Sequence, residues 1–316
     1  MHYQPLGGTG FDVSDVIVGT YKGGGEFAWG AINDFDTIAS VQAYVDAGTN
    51  LIDTASGYGM GRAENMIRHA LDEEGGARRS KTKIMTKWLV WRGRDEQITR
   101  SVSREALAEF CIGSKARLGV EKLDVVLLHN DDEVTPIELA VETLAEYQAK
   151  GDIDWIGVSN YSLEQLEVAQ RVAPLQMYQP LFSIVDPELR HDGRLQFCHE
   201  NDIAVGVWGV LDRGRLGARL KRPDEYSASD GRRNRSPEHY AADRRVHEQL
   251  QKIADRQDMS VAQLAIAWVL SHTGVTCALM GASTPDQVPH NVAASGKRLS
   301  SDVVEECEQI VKSASA

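Results

Sequence analysis

Short apolar runs of β character alternate with longer segments of helical periodicity from one end of this chain to the other. The runs fall at residues 16–18, 50–53, 83–86, 125–128, 153–158, 175–179, 204–207 and 277–280. Between them, apolar residues recur at i, i+3 and i+4 in segments such as 37–47, 98–118, 137–149, 163–172 and 261–271. Ser162 with Gln165 and Ser260 with Gln263 have the reciprocal spacing that caps a helix start. Alternating strands and helices build parallel sheets, and eight repeats predict closure into a (β/α)8 TIM barrel. A doubly wound sheet would need two halves and an early glycine fingerprint. Gly7-Gly8-Thr9-Gly10 is not that fingerprint, because it precedes the first barrel strand. It reads as the turn of an N-terminal β-hairpin joining residues 3–6 to 11–13. The tail, residues 300–312, predicts an extra amphipathic helix on the outside. With no linker, repeat or low-complexity tract, residues 1–316 read as a single domain.

The charge balance removes several function classes. With 46 acidic against 34 basic side chains the net charge is −12, which argues against nucleic acid or an anionic membrane as the main partner. No stretch approaches the roughly 18 apolar residues of a membrane span. The N-terminus lacks a basic-then-apolar signal sequence. Cys111, Cys198, Cys277 and Cys307 are scattered without metal-type spacing and read as buried free thiols. The expectation is a soluble cytoplasmic protein.

Three of the β-type runs end abruptly in ionisable residues. Asp53 closes one, with Tyr58 just beyond it in a loop loosened by Gly57, Gly59 and Gly61; Lys87 closes the next and His129 the one after. Taken singly, each has an ordinary explanation: a turn cap, packing, a surface cation, a half-buried imidazole. On adjacent strands of a barrel, however, their ends meet in one pocket. A tyrosine with a pKa near 10 is a poor acid at neutral pH, and a nearby ammonium lowers that value. Lys87 is expected to supply this field, Asp53 to hold Lys87, and His129 to bond a substrate oxygen or share the Tyr58 proton. Together they suit acid–base work on a carbonyl–alcohol pair. A metal site is disfavoured, since a lysine and a tyrosine make up half the group. Two long connections, residues 23–35 and 208–240, leave the ends of the first and seventh strands, where barrel active sites lie.

The chain resembles the aldo-keto reductases nearly end to end. Asp53-Thr-Ala-x-x-Tyr58-Gly-x-Gly-x-x-Glu64 is similar to that family's most specific motif, with Thr86-Lys87 and Leu128-His129 at family-like spacing. Gly19-Thr20-Tyr21 falls where the family makes its first nicotinamide-side contact. Gly157-Val-Ser159-Asn160-Tyr161, Gln179 and Gly281-Ala-Ser283-Thr-Pro-Asp-Gln287-x-x-x-Asn291 look like its cofactor-binding stretches. The resemblance implies a barrel that uses NADP(H), with NAD(H) left open, to act on a small-molecule carbonyl. It implies Tyr58 as general acid/base, Lys87 and Asp53 as its tuners, and His129 in orientation or proton transfer. It also implies Gly19, Thr20, Tyr21, Asp53, Ser159, Asn160, Gln179, Trp208, Leu211, Arg213, Gly281, Ser283, Gln287 and Asn291 as cofactor contacts. An NAD(P)+-dependent sugar or polyol dehydrogenase is a second expectation. A nucleotide-sensing subunit like the potassium-channel β subunits is a third, and homo-oligomers are allowed by all three.

Residues of the chain bear on the cofactor independently. Thr284-Pro285-Asp286 reads as a helix N-terminus, which attracts phosphate. Eight cations lie between Arg213 and Arg235 against three acids, an unusual local excess in an acidic chain. Neither Ser283 nor Gln287 is accompanied by the Lys or Arg that many relatives place there, so the basic loop is expected to hold a 2′-phosphate. Trp208 replaces a Tyr common at that point and is expected to stack on the nicotinamide. Trp29, Trp88 and Trp91 predict an aromatic-walled substrate pocket, shared with His129, for a sugar ring or flat hydrophobe.

Overall fold

The computed structural model describes residues 1–24, 33–92 and 97–315. Eight parallel strands close on themselves: β3 (Val16–Gly19), β4 (Leu51–Asp53), β5 (Lys83–Trp88), β8 (Leu123–Leu128), β9 (Ile153–Ser159), β10 (Met177–Gln179), β11 (Ala204–Val207) and β12 (Cys277–Met280), with β12 pairing back to β3. Each expected run became a strand. Before them, β1 (Tyr3–Pro5) and β2 (Asp12–Ser14) form the antiparallel hairpin, Gln4 facing Val13. Leu6 and Val13 of that hairpin join Ile17, Leu51, Met85, Leu127, Met177 and Cys277 in the apolar filling of the barrel. The hairpin therefore stoppers the N-terminal end and leaves the C-terminal end for chemistry.

The helices cover the outer face of the strands: α1 (Asp34–Asp46), α2 (Arg62–Asp72), α3 (Arg104–Leu118), α4 (Ile137–Ala149), α5 (Leu163–Val172), α6 (Arg194–Glu200), α7 (Pro237–Arg256), α8 (Val261–Leu270), α9 (Val288–Val292) and α10 (Ser301–Ser315). Both capping boxes are present, Ser162 Oγ accepting from the Gln165 amide and Ser260 Oγ from that of Gln263. In α8 every residue from Val261 to Leu270 is buried except Gln263, because α7, α9 and α10 wrap it. All four cysteines are free and buried. Among the described residues no helix is long and apolar enough to cross a membrane.

One expectation is corrected here. Residues 98–118 do not form a continuous helix. Ile98–Arg100 is a strand, β7, paired with β6 (Val90–Arg92) in a hairpin inserted after β5, and α3 starts only where Ser103 caps the Ala106 amide. The period-3.6 spacing of 98–118 continued by chance into a strand of three residues. The hairpin leans on the loop after β4: Ser56 Oγ donates to the Val90 carbonyl at 3.3 Å, and a Cβ on Gly57 would meet the Val90 Cβ at 3.2 Å.

Candidate active site

The loop carrying Tyr58 is stitched to its neighbours by its own backbone. Thr20 donates to the Asp53 carbonyl through N (3.0 Å) and Oγ1 (2.9 Å), Thr54 N to the Met85 carbonyl (2.8 Å), and Ser56 N to the Lys87 carbonyl (3.0 Å). Past Tyr58 the chain turns through Gly59 and Gly61 with φ of 60° and 91°. Gly59 lies so close to the Gly24 carbonyl that a Cβ would overlap it, and a Cβ on Gly24 would strike the Tyr58 backbone. In α2, the fully buried Glu64 accepts from Thr86 Oγ1 (2.7 Å) and Arg117 Nε (2.6 Å), locking this helix to the strand that carries Lys87.

The four expected acid–base residues are brought together. Lys87 is fully buried; its ammonium donates to Asp53 Oδ1 and to the Thr54 carbonyl at 2.8 Å, and Gln179 Nε2 donates to the same Asp53 oxygen at 2.8 Å. Burial pulls Lys87 below its usual pKa and pushes Asp53 above, their mutual attraction opposing both. The ammonium stands 4.9 Å from the centre of the Tyr58 ring, a cation–π approach. The expectation that Lys87 depresses the Tyr58 pKa is corrected. Burial, then the Asp53 carboxylate, then Tyr21 push the phenol well above its usual value. His129 meets Tyr58 edge-on, ring centres 5.7 Å apart. Burial first, then Lys87 and Arg100, pull its pKa down to about 3, so the imidazole is neutral at physiological pH.

Beside this cluster, β9 and β10 present amides. Gly157 lets the two strands approach, for a Cβ there would overlap the Met177 carbonyl. Ser159 Oγ donates to the Gln179 carbonyl at 2.7 Å, and Asn160, at φ 60°, donates through Nδ2 to the His129 carbonyl at 3.2 Å. Trp208 is 37 % exposed and donates through Nε1 to Asn160 Oδ1 at 2.9 Å, so it belongs to the mouth of the barrel. Gln179 Oε1 and one Asn160 amide proton then have no protein partner among the described residues. An acceptor and a donor side by side complement a carboxamide, so the site fits a nicotinamide. Tyr21 is 52 % exposed and touches Tyr58 edge-on at 5.0 Å.

Further along the mouth, Ser283 N donates to Gln287 Oε1 at 2.7 Å and Ser283 Oγ accepts from Lys22. Burial, then Arg232 and Lys221, pull the Lys22 pKa down, while Asp230 raises it. The basic loop therefore reaches across to the first strand's end. Arg232 donates to the Arg213 carbonyl at 3.0 Å, so Arg213 serves the loop through its backbone, and Leu211 is half-buried against the core. Pro285–Gln287 is a 3-10 turn preceding α9. Asn291 donates to Tyr44 OH (2.7 Å) and the Gly281 carbonyl (3.4 Å); its amide nitrogen is spent on holding this turn.

The expectation for Trp88 is overturned. Strand alternation that aims Lys87 inward sends Trp88 outward, where it stacks on Phe110 at 6.1 Å and donates to Ser114 of α3 at 3.1 Å. It is fully buried and walls no pocket. Trp29 lies outside the described residues, and nothing is described of the Trp91 side chain. Lys22, Glu64 and Arg100 were not singled out as site residues. Lys22 follows Gly19-Thr20-Tyr21 directly, and that adjacency was the available signal. No group of acids, cysteines and histidines among the described residues is arranged to hold a metal.

With this geometry in place, comparison with known proteins is informative. The family model described as "Aldo/keto reductase family" matches residues 15–312. Aldo-keto reductase YhdN of Bacillus subtilis (strain 168) is 32% identical over 309 residues, covering 96% of this chain and 91% of that protein. NADH-specific methylglyoxal reductase of Escherichia coli (strain K12) is 30% identical over 314 residues, 94% of each. Among solved structures, the glycerol dehydrogenase AKR11B4 from Gluconobacter oxydans superposes with a TM-score of 0.87 at 28% identity, covering 99% of this chain and 95% of that one.

Proposed function

Since this chain belongs to the aldo/keto reductase family, and is thereby a nicotinamide-dependent oxidoreductase acting on small-molecule carbonyls, we propose that it reduces aldehydes or ketones to alcohols with NADPH, Tyr58 giving the proton. The observation that carries this is the meeting of Tyr58, Lys87, Asp53 and His129 beside Gln179 Oε1 and one Asn160 amide proton, both without a protein partner among the described residues. The bound nicotinamide supplies the hydride. Burial keeps the Tyr58 phenol protonated at neutral pH, the form that donates to a carbonyl oxygen. Asp53 and Lys87 fix the polar floor beneath Tyr58, and neutral His129 hydrogen-bonds the substrate oxygen without adding charge. Ser159, Asn160 and Gln179 orient the carboxamide, and Trp208 covers the ring.

The preference for NADPH rests on Lys22, Lys221 and Arg232 gathered near Ser283, a cationic corner suited to a 2′-phosphate. Among the relatives above, one is named NADH-specific, so both cofactors belong in the test. Purified protein should oxidise NADPH with a generic aldehyde, faster than NADH at equal concentration. Absence of turnover with either cofactor across a carbonyl panel overturns the reading. Turnover with NADH alone overturns its cofactor half.

A further inference from the structure

The cations bearing on His129 are Lys87 and Arg100, and they differ in one respect. Lys87 is matched by Asp53 in a buried ion pair. The Arg100 guanidinium makes neither ion pair nor hydrogen bond among the described residues, and its residue is exposed. Its position is fixed from both sides. Through the hairpin, Arg100 lies opposite Val90, whose Cβ and carbonyl lie against Gly57 and Ser56 beside Tyr58. Two residues later, Val102 N donates at 2.8 Å to Asp132, three residues beyond His129. The end of β7 is thus pinned between the Tyr58 loop and the His129 loop.

Two acids that follow His129 are committed elsewhere. Asp132 also accepts from the Val134 and Thr135 amides (3.0 and 2.6 Å) and from Thr135 Oγ1 (2.8 Å), and Asp131 accepts from Gln165. A guanidinium unmatched among the described residues, at the rim of a carbonyl site, is suited to an anion, and in a chain of net charge −12 it stands against the overall field.

Resting on the carbonyl-reducing reading above, we infer that Arg100 is a specificity-determining residue that selects substrates carrying a second, anionic group, a carboxylate or a phosphate, away from the reacting carbonyl. A guanidinium pairs with either anion in a two-pronged hydrogen bond. A neutral aldehyde of the same length leaves Arg100 solvated, with nothing lost or gained.

The test compares matched pairs with the full chain and its nicotinamide cofactor: succinic semialdehyde against butyraldehyde for the carboxylate, glyceraldehyde phosphate against glyceraldehyde for the phosphate. The wild type should favour the anionic member of at least one pair, and which pair responds identifies the anion. Arg100→Gln should lower kcat/KM for that anionic substrate roughly tenfold, mostly through KM, and leave the neutral one unchanged. Arg100→Lys should restore part of the loss, and added KCl should narrow the wild-type preference. A wild type without preference in either pair overturns the inference, as does an equal loss on both members in Arg100→Gln. In either case turnover of butyraldehyde keeps the carbonyl-reducing reading intact. A wild type that reduces none of the four overturns that reading and this inference with it.

Discussion

The Lys87 ammonium approaches the face of the Tyr58 ring, 4.9 Å from its centre, while hydrogen-bonding to the Asp53 carboxylate. The lysine therefore serves two partners: it neutralises a buried acid and stabilises the phenol ring it covers. The positions of both partners depend on it.

Tyr58→Phe removes the proton donor and keeps the ring. The expected result is a fall in kcat of about 100- to 10,000-fold with the dissociation constant for NADPH unchanged, read by steady-state kinetics and fluorescence titration. Surviving turnover would remove Tyr58 from its role.

Lys87→Met strands the Asp53 carboxylate in an apolar setting, because Gln179 is then its remaining side-chain donor. The cost to stability should be about 3 kcal/mol, measured by urea denaturation. Adding Asp53→Asn should recover part of it, so the double variant is less destabilised than the sum of the two singles. Simple additivity would mean that the two residues do not act as a pair.

His129 gives a pH signature with a definite sign. Its folded pKa lies near 3 against an ordinary 6.5, so between those values the unfolded chain binds a proton that the folded chain refuses. The associated stability is fully present above 6.5 and is lost as the pH falls through that window. Asp132, held down to about 2 by backbone and Thr135 donors although burial opposes them, loses its contribution at lower pH, below its ordinary 3.8. Urea midpoints against pH for wild type and His129→Gln should differ in slope mainly between 3 and 6.5. Parallel curves would place a charged imidazole in the folded state.

Lys22→Ala should weaken NADPH roughly tenfold and NADH much less, by fluorescence titration at fixed salt. Equal weakening of both would assign Lys22 to the pyrophosphate or to loop structure alone.

Trp88→Ala opens a hole between β5, α3 and α4. It should cost about 3–5 kcal/mol of stability while the KM for an aldehyde stays unchanged wherever the variant is folded. A large KM effect at full folding would return Trp88 to the substrate.

How far the chain could be read without coordinates follows from the range of each signal. The barrel was legible because each strand is a contiguous apolar run and its cap a contiguous motif. Asp53, Lys87 and His129 were legible because strand ends meet once the barrel closes. Trp88 was misread for a local reason: residues adjacent in sequence on a strand face opposite ways, and choosing between Lys87 and Trp88 as the inward one decides the other. The hairpin of β6 and β7 was missed because three-residue strands carry almost no periodicity. The direction of the Tyr58 shift was missed because it depends first on burial, and then on the Asp53 and Tyr21 groups that the fold brings close. Lys22 lies far from Ser283 and Asp230 in sequence, so its corner exists only in the folded chain.

The contact between Gly24 and Gly59 ties the loop after the first strand to the loop that bears Tyr58, backbone against backbone. Neither glycine can gain even a methyl group without driving the other loop away. A side chain introduced at Gly24 is therefore transmitted to the loop that bears Tyr58, and the placement of that phenol is mechanically coupled to the chain leaving the first strand.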